Sequence, residues 1–408
     1  MSTRDKEKNR IDGIDVFFLG LMYSDATLEE ARTCSKVGIQ MAPHIFQQNL
    51  LKGFADRQDV SLKVIHVPPI GSFPIHYKKA LMHTNRWKDN YEQIGYLNVP
   101  VVKHKIQEGR IISLIEKALD SSKEQHILIY TMYPPFVRAA HVLKNKHPEL
   151  SVSLLQTDPV LGKDGIYTKN SNNNIRKGRE LIELMKNFDS FVVLTKYLAE
   201  AMETGDRPYT IVDCIINDSV NDSVVSDRPA NRNRFLYTGS TRSTNGIITL
   251  VDAFRYLPDA ERWICGGGDS DEYIREQEKE LSNIRFFGSV DHSRISDIQS
   301  QCDYMVNPRT PTGGFTKYSF PSKTAEYMMT GKPTVMYKLE GLSEEYDELL
   351  NYVYAEDPRG LAEELKSIIN MDQEFLMAKA LRAKMYVQRE KSPKAQADRI
   401  ITMWNRAK

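Results

Sequence analysis

Apolar residues in this chain gather in short continuous runs. IDVFFLGL (14–21) opens the series, followed by SLKVIHV (61–67), HILIYT (126–131), SVSLLQ (151–156) and FVVLT (191–195). Runs of this length without strict alternation are the pattern of strands buried on both faces, as in a parallel sheet. Between them lie segments of helical period: a loop and amphipathic helix over 40–56, then 104–119, 135–146, 179–187 and 196–202. A polar, loop-like segment spans 162–178, and YTIVDCII (209–216) reads as a short strand. The polar run 217–234 is the best linker candidate. The alternation then resumes with FLYTG (235–239), a helix at 246–257, RWICGG (262–267), a helix at 271–282, IRFFGSV (284–290), a helix at 293–301 and YMVNP (304–308). A short helix from about Pro321, TVMYK (334–338), YVYAE (352–356), a helix from Arg359 and basic amphipathic helices at 374–390 and 392–407 complete the chain. Strands alternating with helices at this spacing predict an α/β fold of two Rossmann-like domains, 13–215 and 234–391, after a disordered leader at 1–12.

Composition narrows the class. At 408 residues the chain suits two domains, each able to bury its own core. With 55 basic and 54 acidic residues the net charge is +1, so no global field favours nucleic acid. Cys34, Cys214, Cys265 and Cys302 are scattered without metal spacing and read as reduced core thiols. The first ten residues carry no apolar signal core, and no run approaches the roughly 20 apolar residues of a membrane helix. A soluble cytoplasmic protein is the expectation.

The candidate chemistry sits in 307–335, NPRTPTGGFTKYSFPSKTAEYMMTGKPTV. Gly313 and Gly314 let backbone approach a ligand. Ala325, Met328 and Met329 form one apolar helix face, and Gly331 followed by Pro333 ends the helix. Ser322 and Lys323 fall in the first turn, where free N–H groups and the helix dipole favour an anion. Glu326, one turn on, is placed to accept two hydroxyls of a sugar ring. Phosphate at the helix start and a sugar one turn further describe a nucleotide-sugar. An amphipathic helix with a solvated Lys323–Glu326 pair fits the same pattern.

Residues 235–365 resemble the donor-binding half of glycosyltransferase family 4, whose members are retaining enzymes of GT-B architecture. Glu326 matches the second Glu of the family's paired motif and Gly331-Lys332-Pro333 its following turn, while the first Glu falls on Tyr318. The run from Phe315 to Lys323 is similar to a branch of surface-polysaccharide transferases. The resemblance implies two domains facing across a cleft, with a final helix (392–408) crossing back to an N-terminal acceptor domain. It also implies a catalytic set of Arg242, Lys323 and Glu326, with Arg242 and Lys323 on the donor diphosphate, Glu326 on the ribose, and Asn245 where a second loop cation would stand. Donor contacts fall on Gly239, Gly313, Gly314, Phe315, Tyr318, Ser319, Pro321 and Ser322. His44, in a stretch matching the family's first loop, and Asp158, at a strand end, are acceptor or active-site candidates. Asp158 also reads as a turn residue before Pro159. The donor is a substrate, so no cofactor and no metal are expected.

Two further features stay open. Asp269 and Asp271 have the spacing of a metal-binding pair, but they also stand where acidic residues favour a helix start, the reading adopted here. The segment 70–88 mixes Lys78, Lys79, Arg86 and Lys88 with aromatics. It suits an anionic membrane surface or lipid-linked acceptor, and equally a surface loop packed by its own rings. The expected function is sugar transfer from a nucleotide-diphosphate-sugar to a saccharide or lipid-linked acceptor in surface polysaccharide synthesis. A silent GT-B-like subunit and a nucleotide-sugar 2-epimerase are the rival readings.

Overall fold

The computed structural model describes residues 13–88, 90–160, 172–217, 233–312 and 314–406. The chain divides into two units: one runs to Ile215 and takes in the segment from Pro393, and the other is Ile216–Ser392.

The first unit begins β1 (Ile14–Leu21), α1 (Asp25–Cys34), α2 (Met41–Ala55) and β2 (Val60–Val67). Four short strands follow: β3 (Leu81–Met82), β4 (Asn85–Lys88), β5 (Tyr91–Gln93) and β6 (Tyr96–Leu97). Next come α3 (Val102–Glu116), β7 (Glu124–Tyr130), α4 (Pro134–Lys146) and β8 (Ser151–Gln156). The unit continues through α5 (Asn172–Leu184), β9 (Ser190–Val193), α6 (Lys196–Ala201) and β10 (Tyr209–Ile211). Its sheet runs β10-β9-β8-β7-β1-β2-β5-β4, parallel except where β4 pairs β5, while β3 and β6 form a separate antiparallel pair. The central strands are buried on both faces, as continuous apolar runs require.

The second unit holds β11 (Arg234–Thr238), α7 (Ile247–Ala253), β12 (Glu261–Cys265), α8 (Asp271–Glu280) and β13 (Ile284–Phe286). It continues with α9 (His292–Ser300), β14 (Tyr304–Asn307), α10 (Ser322–Met329), β15 (Thr334–Tyr337) and β16 (Asn351–Val353), then α11 (Pro358–Ile369) and α12 (Gln373–Glu390). Its sheet is wholly parallel in the order β13-β12-β11-β14-β15-β16, the doubly wound arrangement. The order reverses between β11 and β14, and such switch points open a crevice at the carboxyl ends of the strands.

The expected α/β fold with parallel, Rossmann-like halves is the one found. Local differences have identifiable causes. α1 escaped the apolar pattern, although Ser24 caps it by accepting from the Thr27 N–H at 3.3 Å. Gln40–His44, expected as a loop, is the start of α2, with Pro43 inside the first turn where its missing N–H costs nothing. The loop read at 162–178 is helical from Asn172, and 161–171 lie outside the described residues, as do the leader and 218–232 of the linker.

The last helix, α13 (Pro393–Arg406), belongs to the first unit and packs along α2. Its buried side chains, among them Ala397, Ile400, Ile401 and Trp404, recur at three- and four-residue intervals. Trp404 stacks on Phe54 at 5.9 Å and on His126 at 4.1 Å, and its indole N–H donates to Ser153 Oγ at 2.8 Å. Gly53 makes the close approach possible, since a Cβ there would lie 1.9 Å from the Pro393 carbonyl oxygen. In an isolated helix Gly53→Ala would add about 1 kcal/mol of stability. Here we predict the opposite sign, a loss of about 2 kcal/mol or more as the backbones are forced apart. Trp404→Ala should cost about 3–5 kcal/mol. Urea titration of both variants checks this, and a stabilised Gly53→Ala protein would mean that α13 does not depend on this contact.

Candidate functional site

The loop from Gly239 to Gly246 leaves β11 at the switch point and is held from two sides. Gly246 takes a left-handed φ of 76°, and a Cβ on it would lie 2.1 Å from the Pro308 carbonyl oxygen after β14. A Cβ on Gly266 would lie 1.7 Å from the Gly239 carbonyl oxygen. The glycines after β12 therefore serve backbone-to-backbone packing of loops. The two aspartates complete the clamp. Asp269 accepts from the Ser243 N–H at 2.7 Å, and Asp271, the first residue of α8, accepts from the Gly268 N–H at 2.9 Å and from the Thr241 hydroxyl. The Ser240 carbonyl accepts from the Tyr237 hydroxyl and from Asn245 Nδ2, each at 2.9 Å.

On the other side of the crevice lies α10. Pro321 is its N-cap residue rather than its first helical one, and no side chain caps the helix. The N–H groups of the first turn therefore stay open to a ligand. Thr324, Ala325, Tyr327, Met328 and Met329 are buried and turn the helix against the sheet. Tyr327 sets its position: its oxygen accepts from the Thr238 N–H at 2.8 Å and its hydroxyl donates to the Thr238 carbonyl at 3.1 Å. Pairing between β11 and β14 covers only Phe235 with Tyr304 and Leu236 with Met305, so the phenol serves the last residue of β11 in place of a strand.

Between the two walls is a cavity of about 230 Å³. From β11 and its loop it is lined by Tyr237, Gly239, Ser240 and Asn245, from the end of β14 by Asn307 and Arg309, and from the start of α10 by Phe320, Pro321, Ser322 and Lys323. The structure thus brings together Gly239, Pro321, Ser322 and Lys323 of the expected set. Ser319 adjoins it, accepting from Arg309 Nη2 at 3.3 Å. Glu326 is outside the lining and forms an ion pair with Lys323 at 2.6 Å, both side chains remaining solvent-accessible.

Arg242 is exposed and is not part of the lining. The arginine in the wall is Arg309, whose guanidinium burial draws down in pKa against the opposing influence of the Tyr237 phenol. A second cation that sequence reasoning missed lies under Tyr237. Arg262 is fully buried, its charged carbon 5.9 Å from the Tyr237 ring, and none of its side-chain nitrogens has a hydrogen-bond partner. Burial lowers its pKa to about 9.

The remaining expected contacts fall on the 310–320 loop. Gly314 has a φ of 70°, Phe315 opens a short 3₁₀ turn ending at Tyr318, and the Lys317 ammonium lies 5.0 Å from the centre of the half-buried Tyr318 ring. Gly313 lies outside the described residues. In the first unit, His44 Nδ1 accepts from the Tyr23 N–H at 3.4 Å, which leaves the proton of the neutral ring on Nε2. Burial lowers its pKa, with Asp25 opposing. Asp158 follows β8 and accepts from the Thr157 hydroxyl at 2.9 Å. In the 70–88 segment the cations meet protein groups. Lys78 donates to the Thr33 carbonyl at 2.8 Å, Lys79 pairs with Glu30 at 2.7 Å and Arg86 with Glu92 at 3.0 Å, and Lys88 lies 4.8 Å from the Tyr91 ring centre. Buried Tyr77, and Trp87 donating to His66 of β2 at 2.9 Å, anchor this segment to the rest of the first unit. All four cysteines are buried thiols, and no helix among the described residues is long and apolar enough to cross a membrane.

Solved structures share this architecture along almost the whole chain. Sucrose-phosphate synthase from Thermosynechococcus elongatus superposes with a TM-score of 0.63 at 14% identity, over 96% of this chain and 98% of its own. The Anabaena protein HepE, solved with UDP, gives 0.59 at 13% identity over 97% and 100%. The Escherichia coli structure of trehalose-6-phosphate bound with UDP-2-fluoro glucose gives 0.62 at 10% over 95% and 98%. At these identities the likeness defines the fold, the GT-B class of two Rossmann-like domains. In sequence, residues 232–371 match the family described as Glycosyl transferases group 1. The second unit therefore carries a glycosyltransferase domain, and the chain is a glycosyltransferase. No curated protein matches the chain.

The Tyr327 bonds give a direct test of how the crevice is held. Tyr327→Phe keeps the ring and leaves the Thr238 N–H and carbonyl buried without partners, a cost of about 1–3 kcal/mol. Chemical denaturation should show that loss, and wild-type stability would mean that α10 is placed by ring packing alone.

Proposed function

We propose that the chain is a retaining glycosyltransferase of family 4. It moves a sugar from a nucleotide-diphosphate-sugar to a saccharide or lipid-linked saccharide, in surface polysaccharide synthesis in the cytoplasm. The observation that carries this reading is the cavity at the carboxyl ends of β11 and β14. There Arg309 and Lys323 stand beside the uncapped start of α10, inside the stretch that matches the group 1 family. Two cations with open helix N–H groups suit a diphosphate. UDP in the Anabaena neighbour and UDP-2-fluoro glucose in the Escherichia coli one support a nucleotide-sugar as donor.

In this reading Ser322, Lys323 and Arg309 hold the diphosphate. Arg309 takes the wall position foreseen for Arg242, which stands exposed on the adjoining loop. As the bond to the anomeric carbon breaks, charge grows on the departing phosphate oxygens, and fixed cations in a partly desolvated pocket stabilise it. Glu326 exchanges its pairing with Lys323 for the ribose hydroxyls once Lys323 engages phosphate. Gly313, Gly314, Phe315 and Tyr318 line the sugar side. His44, through Nε2–H, and Asp158 serve the acceptor on the first unit. Peripheral membrane contact through 70–88 draws no support from its cations, which are committed to protein groups.

Calorimetry with a nucleoside diphosphate separates these roles. Glu326→Gln should change stability by only a few tenths of a kcal/mol, the worth of an exposed pair. It should weaken nucleotide binding about ten- to hundredfold through loss of a charge-assisted contact. Arg309→Ala should weaken it to a similar degree, and Lys323→Ala should lower turnover more than binding. Wild-type affinity in Glu326→Gln would sink the ribose assignment. A panel of nucleotide-sugars with nucleotide release as the readout distinguishes the enzyme from a silent subunit.

The carboxylates of Asp269 and Asp271 are engaged by N–H and O–H donors of neighbouring loops, which supports a diphosphate held by cations alone. Activity should therefore persist in excess EDTA. Loss on chelation with recovery in Mn²⁺ would overturn the metal-independent reading.

A further inference from the structure

Helix α12 is apolar on two opposite sides. Leu376, Ala380, Ala383 and Val387 are buried, and this row packs in the second unit, where α10 is a principal neighbour. At about 100° per residue, Phe375, Ala378, Arg382 and Met385 repeat the same spacing on roughly the other side, extended by Met371 before the helix and flanked by Met377 and Leu381. These side chains are exposed: Phe375 by 55%, Leu381 by 55% and Met385 by 60%. Isolated surface apolar residues need no explanation, but a contiguous stripe of large ones along one helix marks a contact surface.

The charge around the stripe selects the partner. Helix α12 carries four cations, Lys379, Arg382, Lys384 and Arg389, against two carboxylates at its ends, Glu374 and Glu390, with Glu390 pairing Arg389 at 2.8 Å, so its net charge is +2. Among the described residues, Arg382 and Lys384 make no hydrogen bond or ion pair, and Arg382 lies within the stripe itself. A second copy of this helix laid against the first would oppose cations to cations. An anionic lipid surface meets both demands, taking the Phe, Leu and Met side chains between its acyl chains while the long basic stems reach its headgroups. We propose that the exposed face of α12 docks on an anionic membrane surface. This goes beyond the donor-site reading and stands without it, since none of these residues lines the cavity.

The test uses the full chain with extruded phosphatidylcholine vesicles, with and without phosphatidylserine. The wild type should co-sediment with the phosphatidylserine vesicles and be released as salt is raised. Phe375→Ser combined with Leu381→Ser should reduce binding about tenfold or more. Arg382→Ala with Lys384→Ala should reduce it and flatten the salt dependence. Both variants should keep the wild-type melting temperature and nucleotide affinity. A Phe375→Trp reporter should shift its emission to the blue on those vesicles alone. Equal binding to neutral vesicles, or undiminished binding by the Ser variant, would overturn the proposal. So would a concentration-dependent dimer in light scattering that the Ser variant abolishes, because a second copy would then cover the face.

Discussion

The crevice between β11 and β14 depends on one phenol. Where β11 and β14 diverge, the last residue of β11 would leave its N–H and carbonyl buried without a strand to pair them. Tyr327 serves both through one hydroxyl, and in doing so sets the height of α10 over the sheet. Because Tyr327 is in the second turn, the first turn with Ser322 and Lys323 projects over the gap. A satisfied backbone and an uncapped helix start set over the cavity are thus one geometric fact. The wide separation in sequence between Thr238 and Tyr327 makes it invisible to local pattern.

The loops around the gap are held by polar groups that might be mistaken for ligand-binding motifs. Gly266-Gly267-Gly268 and Asp269–Asp271 look like a phosphate loop and a metal pair, yet the Gly267 carbonyl, the Ser270 N–H and the two carboxylates hold the 239–245 loop in place. Their donors and acceptors satisfy one another. The cations behave differently. Arg309 is drawn into the wall and Arg262 is fully buried under Tyr237 without a hydrogen-bond partner, an arrangement that costs stability and leaves positive potential beside the cavity. Strain of this kind at one place, with satisfied groups all around it, is the usual mark of a functional site.

Much of this was legible in the sequence. Continuous apolar runs identified the central strands of both sheets, because a parallel sheet covered on two faces leaves no polar alternation to confuse the reading. The stretch 307–335 pointed to the proposed anion site, since the helix start, Lys323 and the end at Gly331 are local features. Arg309 was not legible: its role follows from β14 ending beside β11, which is topology rather than spacing. Arg242 occupies the expected place in its loop, but Asp269 and the buried Thr241 fix the backbone there so that its side chain turns outward. The first turn of α2 read as loop because the stretch matches the family's first loop, whereas Pro43 is tolerated within a first helical turn.

The helical period also has a blind side, which α12 exposes. A 3.6-residue repeat tells which residues share a face, but not whether that face meets protein. In α13 the apolar row is spent on α2 and on the sheet around Trp404, with Gln396 buried beside it, while Lys394, Thr402, Asn405 and Arg406 face out. In α12 two rows compete, and the row of Leu376, Ala380, Ala383 and Val387 is the one kept inside, with α10 among its neighbours. The bulkier row is left outside, beside Arg382 and Lys384, which no carboxylate pairs among the described residues. Packing thus decides which apolar face a fold keeps, and the one it declines is where the chain still has surface to offer.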